Sequence, residues 1–455
     1  MPHKKMVWTC CSGRSWRWIR SSAARRNGDW LASTVTRRLL NVASGLWPAA
    51  AAASTSATAA TAAGGGTDYG GEGVPFRPKR ALVLSKLSRY AFERKRFSDL
   101  GEDGLKRLLL QRGSHYDRLL EKHRIHEANV DKVVDRLQAF GMEVRLAQRF
   151  EPGLTREAVR WADVVVSAGG DGTFIMAASK VVDDKPVLGV NTDPNGSAGF
   201  LCLPQAYTLH FDEALRKITE GRFRWKWRQR IRTTVEGGLM NAEPIDLHEQ
   251  QLKLPDHQHQ HWSKEQRLQE GLEEPARPGP AVLPVRALNE VFIGESLSST
   301  VSYYEISVDG SPMEKQKSSG ITICTGTGST SWSFNINKLS HQSVRELVNI
   351  INQETDVHIP MTPDLQQRIA SRFNGSLVFD SDEATLAYTV RDPVINGIFN
   401  ASMPRGFAKK IRVRSRGWDA CLVMDSGSSF VFNDGAIATL EAKEEDALRT
   451  FELYN

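Results

Sequence analysis

The segment that most constrains the fold of this chain is VVVSAGGDGTFIMAAS, residues 164–179. It opens with three valines, and a run of β-branched residues is typical of a strand buried on both faces. Three glycines then interrupt the apolar pattern, which suits positive φ in a tight turn or the close approach of a ligand. From Phe174 to Val182 the residues are mostly apolar, as in a buried helix, and Thr173 is placed to cap its N-terminus. The segment therefore predicts a strand, a glycine turn and a helix.

Asp171 lies among these glycines. A helix N-terminus reached through a glycine turn presents free N–H groups and the positive end of the helix dipole, which favours a bound phosphate. A carboxylate beside a phosphate is repelled unless it holds a cation or accepts a proton, so Asp171 indicates chemistry on a phosphorylated ligand. The alternative is a structural turn in which Asp171 accepts a backbone N–H.

Strands and helices alternate around this segment. The runs KRALVLSK (79–86), MEVRLAQ (142–148) and KPVLGVN (185–191) are typical of strands, and residues 127–141 have the apolar spacing of a helix. Such alternation predicts an α/β domain with a parallel sheet over residues 63–199, with ligand sites at the carboxyl ends of its strands.

From about residue 200 the pattern changes to short runs of alternating polarity bounded by Gly, Asp or Pro. We expect a β-rich, antiparallel domain over residues 200–440, followed by a C-terminal helix over 441–455. A segment rich in Gln, Glu, His and Pro interrupts this domain at 241–281, which indicates a surface insertion. Its histidines 257, 259 and 261 could bind a metal, but the surrounding polarity favours a solvated loop, so no protein metal site is predicted.

The first 62 residues have their own composition. Residues 1–67 contain nine Lys and Arg against a single acidic residue, which is more than the +6 net charge of the whole chain. Scattered Arg with Ser and Ala, and no long apolar core, predict a mitochondrial transit peptide that continues into a low-complexity linker. The alternative, a basic arm for nucleic acid, lacks clustered Lys and stacking aromatics. Beyond this segment no apolar stretch is long enough to insert into a membrane.

Two further segments are candidates for ligand contacts. Asn289 and Glu290 interrupt an apolar strand, so at least one of them points inward and needs a partner: a hydroxyl-rich ligand or a cross-strand hydrogen bond. The loop GTGSTSWS (326–333) lacks the lysine of a Walker A motif, and its hydroxyls and glycines suit either a phosphate or sugar ligand or a plain Ser/Thr turn.

Together, GGDGTFIMAAS, GVNTDPNGSAGFL, LNEVFIG and TGTGSTSWS resemble, in this order, the signature of the NAD kinases. The resemblance covers most of residues 80–440 in outline. It implies an enzyme that uses ATP and a divalent cation such as Mg²⁺ to phosphorylate the 2′-hydroxyl of the adenosine ribose of NAD, giving NADP. It also implies a homodimer and a C-terminal segment that returns to the first domain. With the transit peptide, the expected location is the mitochondrial matrix.

The resemblance also implies roles for individual residues. Asp171 matches the catalytic aspartate. The expected ligand-binding residues are Gly169, Gly170, Gly172, Thr173, Asn191, Phe200, Asn289, Glu290, Thr325, Thr327, Ser329, Thr330 and Ser331. Two alternatives remain: a diacylglycerol- or sphingosine-type lipid kinase with the same glycine loop, and a non-catalytic dinucleotide sensor.

Overall fold

The first sheet of the computed structural model contains six strands: β1 (Arg80–Ser85), β2 (Glu143–Gln148), β3 (Val164–Ala168), β4 (Val187–Val190), β5 (Phe223–Arg228) and, from the end of the chain, β19 (Leu448–Leu453). Their order is β2-β1-β3-β4-β19-β5, and every neighbouring pair is parallel except β19 with β5. The structure describes residues 74–148, 156–237, 244–253, 279–396, 399 and 403–454. The predicted transit peptide and His257, His259 and His261 lie outside these residues.

Helices cover both faces of this sheet. They are α1 (Arg89–Arg96), α2 (Glu102–Gln111), α3 (Tyr116–Ala139), α4 (Arg156–Trp161), α5 (Asp171–Lys180), α6 (Ala206–Leu209) and α7 (Phe211–Glu220). One core lies between the sheet and the helices α3 and α7, and a second between the sheet and the helices α4 and α5. All five residues of β3 are buried, as its β-branched sequence predicts.

The predicted boundary at residue 199 is wrong. The helices α6 and α7 and the strand β5 extend the α/β part to Arg228, and Phe211, Leu215 and Phe223 lie in its core. The predicted C-terminal helix is also wrong, because residues 448–453 form β19 between β4 and β5. The C-terminal segment does return to the first domain, but as a strand.

The remaining strands form two antiparallel sheets. One has the order β11-β10-β15-β18-β6-β8, from β6 (Ile231–Glu236), β8 (Ala281–Val282), β10 (Ser302–Val308), β11 (Glu314–Ser318), β15 (Lys410–Ser415) and β18 (Ile437–Ala442). The other has the order β14-β13-β12-β9-β16-β17-β7, from β7 (Ile245–Asp246), β9 (Glu290–Glu295), β12 (Ile321–Cys324), β13 (Leu386–Val390), β14 (Arg405–Ala408), β16 (Ala420–Met424) and β17 (Ser428–Val431). Both sheets contribute to one core. The predicted fold class, a parallel α/β domain and an antiparallel β-rich domain, is confirmed.

The β-rich part also contains helices that the sequence analysis missed: α8 (Leu247–Lys253), α9 (Trp332–Asn337), α10 (His341–Glu354) and α11 (Pro363–Gly375). Residues 247–253 lie within the predicted insertion, whose edges at β7 and β8 pair with the two β-sheets. Across the described ranges, no helix combines the length and apolar character that a bilayer crossing requires.

Candidate active site

The glycine loop connects β3 to α5. The helix begins at Asp171 with Gly170 as its N-cap, so Thr173 lies in the first turn and is not the cap. None of the three loop glycines has a positive φ, and the requirement for glycine is therefore spatial. A Cβ on Gly169 would overlap the Thr173 hydroxyl, whereas a Cβ on Gly172 would meet no heavy atom within 4 Å. The loop is packed on one side and open at Gly172, where the N-terminal N–H groups favour an anion.

Asp171 is held at the start of the helix by a second loop. Its Oδ2 accepts the N–H of Phe200 at 3.1 Å, and its Oδ1 accepts the N–H of Leu201 at 2.7 Å. The capping alternative therefore describes the geometry of Asp171 correctly. The carboxylate can still accept a proton or a hydrogen bond from a ligand, because Asp171 stays partly exposed and each oxygen keeps a free lone pair.

Asn191 and Phe200, both expected to bind a ligand, belong to the loop that holds Asp171. The Asn191 amide is buried and its polar atoms are used within the loop: Nδ2 donates to the Ser197 carbonyl at 3.0 Å, and Oδ1 accepts from the N–H of Asp193 at 3.1 Å. Asn191 therefore shapes the loop that orients Asp171. Phe200 is 84% exposed, and its contact with Asp171 is made by its backbone N–H.

Asn289 and Glu290 are both buried and incompletely bonded. Neither Oδ1 of Asn289 nor Oε2 of Glu290 has a hydrogen-bond partner in the described structure, while Nδ2 of Asn289 donates to Ser331 Oγ at 3.3 Å. Burial, with the negative charge of Asp425 adding to it, raises the pKa of Glu290 to about 8. The cross-strand alternative is thus not realised for these two oxygens, and buried acceptors without partners indicate a hydroxyl-bearing ligand.

Asp425, which the sequence analysis missed, holds the backbone of the Asn289–Glu290 pair through hydrogen bonds. It follows β16 with φ +49°. Its carboxylate accepts three consecutive N–H groups, those of Leu288 at 2.7 Å, Asn289 at 2.8 Å and Glu290 at 3.0 Å. MDSG (424–427) resembles any β-turn in sequence, so only the fold reveals this carboxylate beneath the Asn289–Glu290 pair.

Residues 325–331, here called the hydroxyl loop, use several of their hydroxyls in bonds to backbone carbonyls, and their expected ligand contacts stay predictions. Thr325 Oγ1 donates to the Leu288 carbonyl at 2.6 Å, Ser329 Oγ to the Gly326 carbonyl at 2.6 Å, and Thr330 Oγ1 to the Thr327 carbonyl at 3.2 Å. Thr327 and Ser331 instead face other candidate site residues, since Thr327 Oγ1 accepts from Arg228 at 3.4 Å and Ser331 Oγ from Asn289.

Two contacts connect the Asp171 region of the α/β part with the Asn289–Glu290 region of the β-rich part. Leu288, directly before the Asn289–Glu290 pair, packs in the same core cluster as Phe174 of α5. Arg228, at the end of β5, reaches Thr327 of the hydroxyl loop, and the Asp171 charge acts on its guanidinium. Sequence reasoning missed Arg228 because it is one of four basic residues in RFRWKWR (222–228) and no motif distinguishes it.

The chain is similar to known kinases of NAD. The family model described as the ATP-NAD kinase N-terminal domain matches residues 103–223. NAD kinase 2, mitochondrial, of Rattus norvegicus is 51% identical over 390 residues, covering 85% of this chain and 90% of the relative. The proteins of the same name from Homo sapiens and Xenopus tropicalis are each 50% identical, over 403 and 399 residues, covering 85% and 84% of this chain and 90% and 92% of the relatives. As its four motifs predict, the chain belongs to the NAD kinase family of ATP-dependent phosphotransferases.

Proposed function

We propose that this chain transfers the γ-phosphoryl group of ATP to the 2′-hydroxyl of the adenosine ribose of NAD, forming NADP. The observation that carries the proposal is the position of Asp171: a partly exposed carboxylate at the N-terminus of α5, oriented by two backbone N–H groups. Membership of the NAD kinase family supports the same reaction.

In this reaction Asp171 accepts the proton of the ribose hydroxyl as its oxygen attacks the γ-phosphorus. The new bond joins the 2′-oxygen to phosphorus, the bond to the bridging oxygen breaks, and ADP leaves. The N–H groups of Phe200 and Leu201 keep the carboxylate in one orientation, so the proton acceptor is pre-positioned. The loop glycines leave room for phosphate oxygens at Gly172.

Asn289 and Glu290 supply the contacts to the NAD ribose and amide groups. The unpaired Asn289 Oδ1 accepts from a hydroxyl or amide donor. With a pKa of about 8, Glu290 is protonated at neutral pH, so it both donates and accepts without placing a second negative charge near the phosphates. Asp425 holds the backbone of both residues in register.

The proposal includes a divalent cation delivered with ATP. Residues 74–454, as far as they are described, contain no group of three His, Cys, Asp or Glu side chains that could hold a metal by themselves. Mg²⁺ usually keeps several waters and is held by one or two carboxylates together with substrate phosphates. The donor set present fits that mode, because Asp171 is the carboxylate that would lie near a cation bound with ATP, and the cation would neutralise charge on the transferred group.

The test is to incubate protein beginning at residue 63 with NAD, ATP and Mg²⁺, and to measure NADP with an NADP-specific dehydrogenase. Parallel assays offer diacylglycerol or sphingosine in place of NAD, and NAD binding is measured calorimetrically. We expect NADP formation and no lipid phosphorylation. Lipid phosphorylation without NADP would overturn the proposal in favour of the lipid kinase, and NAD binding without turnover would favour the sensor.

We also propose that the protein works as a homodimer in the mitochondrial matrix after removal of its transit peptide. The Arg-, Ser- and Ala-rich composition of residues 1–62 and the mitochondrial names of the relatives support this location. Fusion of residues 1–67 to a reporter protein tests it. We expect import and cleavage, and a reporter that stays outside mitochondria would contradict it. Sedimentation of the protein beginning at residue 63 tests the dimer.

A further inference from the structure

Arg228 lies on the face of the first sheet that carries α5. It ends β5 and is paired with Leu448 of β19. Directly paired residues of neighbouring strands point to the same face. Leu448 packs in the core cluster that contains Phe174 and Ala177 of α5. The Arg228 side chain therefore extends along the α5 side toward the loop residue Thr327.

The guanidinium of Arg228 is held by few groups. Its Nε is buried and has no hydrogen-bond partner, and its Nη1 donates to the neutral Thr327 hydroxyl at 3.4 Å. No ion pair to Arg228 is found within the described ranges. Arg224, on the same strand and face, is ion-paired with Glu452, and Arg232 is ion-paired with Asp446. Arg228 is half-buried, and a guanidinium whose buried Nε–H lacks an acceptor and whose charge lacks a carboxylate is costly, so its presence indicates an anionic ligand.

The charges around Arg228 agree with this requirement. Burial lowers the pKa of its guanidinium, and the negative charges of Glu452 and Asp171 oppose that shift. Glu452 is already engaged by Arg224, and Asp171 by two backbone N–H groups. Arg228 is thus within electrostatic range of the proposed base while its Nε–H stays unpaired, as expected of a group that receives its partner with the substrate.

We propose that Arg228 binds a phosphate oxygen of a polyphosphate ester in the cleft between α5 and the hydroxyl loop. The inference rests on the proposed kinase reaction. Two ligands share this chemistry, the triphosphate of ATP and the pyrophosphate of NAD. In either case Arg228 donates N–H groups and positive charge and takes no proton, and its planar fork suits two oxygens of one phosphate.

The experiment compares Arg228→Gln with wild type in steady-state kinetics, with ATP and NAD varied in turn. Loss of a charge-assisted hydrogen bond is expected to lower kcat/KM by about 10- to 100-fold. A raised KM for ATP alone assigns the triphosphate, and a raised KM for NAD alone assigns the pyrophosphate. Arg228→Lys keeps the positive charge but lacks the planar guanidinium donors, so its kcat/KM should lie between those of Arg228→Gln and wild type. Arg224→Gln is the matched control, since its exposed guanidinium lies on the same strand, and it should stay near wild type.

Kinetic constants within about twofold of wild type in a folded Arg228→Gln variant would overturn the inference. If Arg228→Gln does not fold, Arg228→Lys decides, and wild-type behaviour of that variant at both low and high ionic strength would overturn it too. A binding arm with ATP separates this inference from the proposed function. If wild type binds ATP in a way that depends on Arg228 but forms no NADP, the phosphate site is retained and the kinase reaction is rejected. If wild type and Arg228→Gln form NADP equally well, the kinase reaction is retained and the phosphate site is rejected.

Discussion

At the scale of single residues, the site combines carboxyl groups that have different environments. Asp171 is partly exposed and bonded to two backbone N–H groups, whereas Glu290 is buried with an unpaired oxygen above the Asp425 carboxylate. Two carboxyl groups in one site can take different roles when their surroundings separate their protonation states. Here the exposed group suits proton acceptance, and the buried one suits hydrogen bonding in its neutral form.

The buried state of Glu290 makes stability depend on pH. Its folded-state pKa of about 8 lies above the ordinary value of 4.5. The folded protein therefore binds the Glu290 proton more tightly than the unfolded chain does. This contribution to stability is complete below about pH 4.5 and is lost as the pH rises to about 8.

Glu290→Gln mimics the protonated side chain at every pH. The Tm of the variant relative to wild type should therefore increase from pH 5 to pH 8 and then level off, as measured by thermal unfolding in matched buffers. Glu121→Gln, an exposed position on α3, serves as the control and should show no such trend. A Tm difference that stays constant over this range would contradict the assignment of a raised pKa to Glu290.

The sequence predicted these residues unevenly, for a physical reason. Asp171, Asn289 and Glu290 are polar residues in apolar or glycine-rich runs, where the cost of burial makes them conspicuous. Asp425 follows a strand and Arg228 ends one, neither within a distinctive motif, and their importance comes from contacts with residues 135 and 99 positions away in the chain. The expected ligand role of Asn191 stays a prediction, and its motif does not reveal that the local loop uses its amide.

At the scale of secondary-structure elements, the glycines of the β3–α5 loop and of the hydroxyl loop have different roles. A Cβ on Gly328 would overlap the backbone of Asn289, so that glycine permits the hydroxyl loop to pack on the start of β9. Gly172, with no neighbour within 4 Å and an ordinary φ, faces open space at the helix N-terminus. The first glycine is required by the fold, and the second is required only if a ligand fills that space.

Alanine at the two positions separates these roles. Gly328→Ala should destabilise the protein by about 1–3 kcal/mol, because backbone has to move to admit the methyl group. Gly172→Ala should leave the urea midpoint unchanged or slightly higher, since alanine favours a helix, while the KM for ATP or NAD rises. Urea unfolding and steady-state kinetics of both variants check this. An unchanged KM in Gly172→Ala would contradict a ligand at that position.

Local signals for two of the missed helices are present in the sequence. Ser340 accepts the N–H of Ser343 ahead of α10, and Thr362 caps α11 with Pro363 in its first turn. The sequence analysis did not predict these two helices because the segments on either side of them have a β-rich pattern. The run SLVFDS (376–381) is also short and apolar, but it forms no strand and begins with a turn after α11.

At the scale of the whole molecule, the C-terminal strand ties the end of the chain to the first sheet. Residues 437–454 have Ala, Leu and Glu in abundance, which favours a helix in isolation. The chain instead forms β18, a short turn and β19, because β19 fills the gap between β4 and β5 and packs Phe451 against Phe223 and Trp225. Long-range pairing of this kind overrides local propensity and is not visible in sequence.

Phe451→Ala tests how much this strand holds the molecule together. The side chain is 9% exposed within an aromatic cluster, so its truncation should lower the free energy of unfolding by about 3–5 kcal/mol. The control is Tyr454→Ala, because Tyr454 is 42% exposed at the end of the described chain and should cost less than about 1 kcal/mol. Similar losses in both variants, measured by urea unfolding, would show that β19 is not a central element of the sheet.

The central claim is that Asp171 accepts the proton of the attacking hydroxyl, and Asp171→Asn tests it most directly. The amide still accepts one of the two backbone N–H bonds but is a very weak base. NAD and ATP binding to the variant, measured by calorimetry, should stay within a few-fold of wild type, while single-turnover formation of NADP should fall by about 10²- to 10⁴-fold. Asp131→Asn, on the exposed face of α3, should match wild type. NADP formation by Asp171→Asn at a rate near that of wild type would contradict the claim.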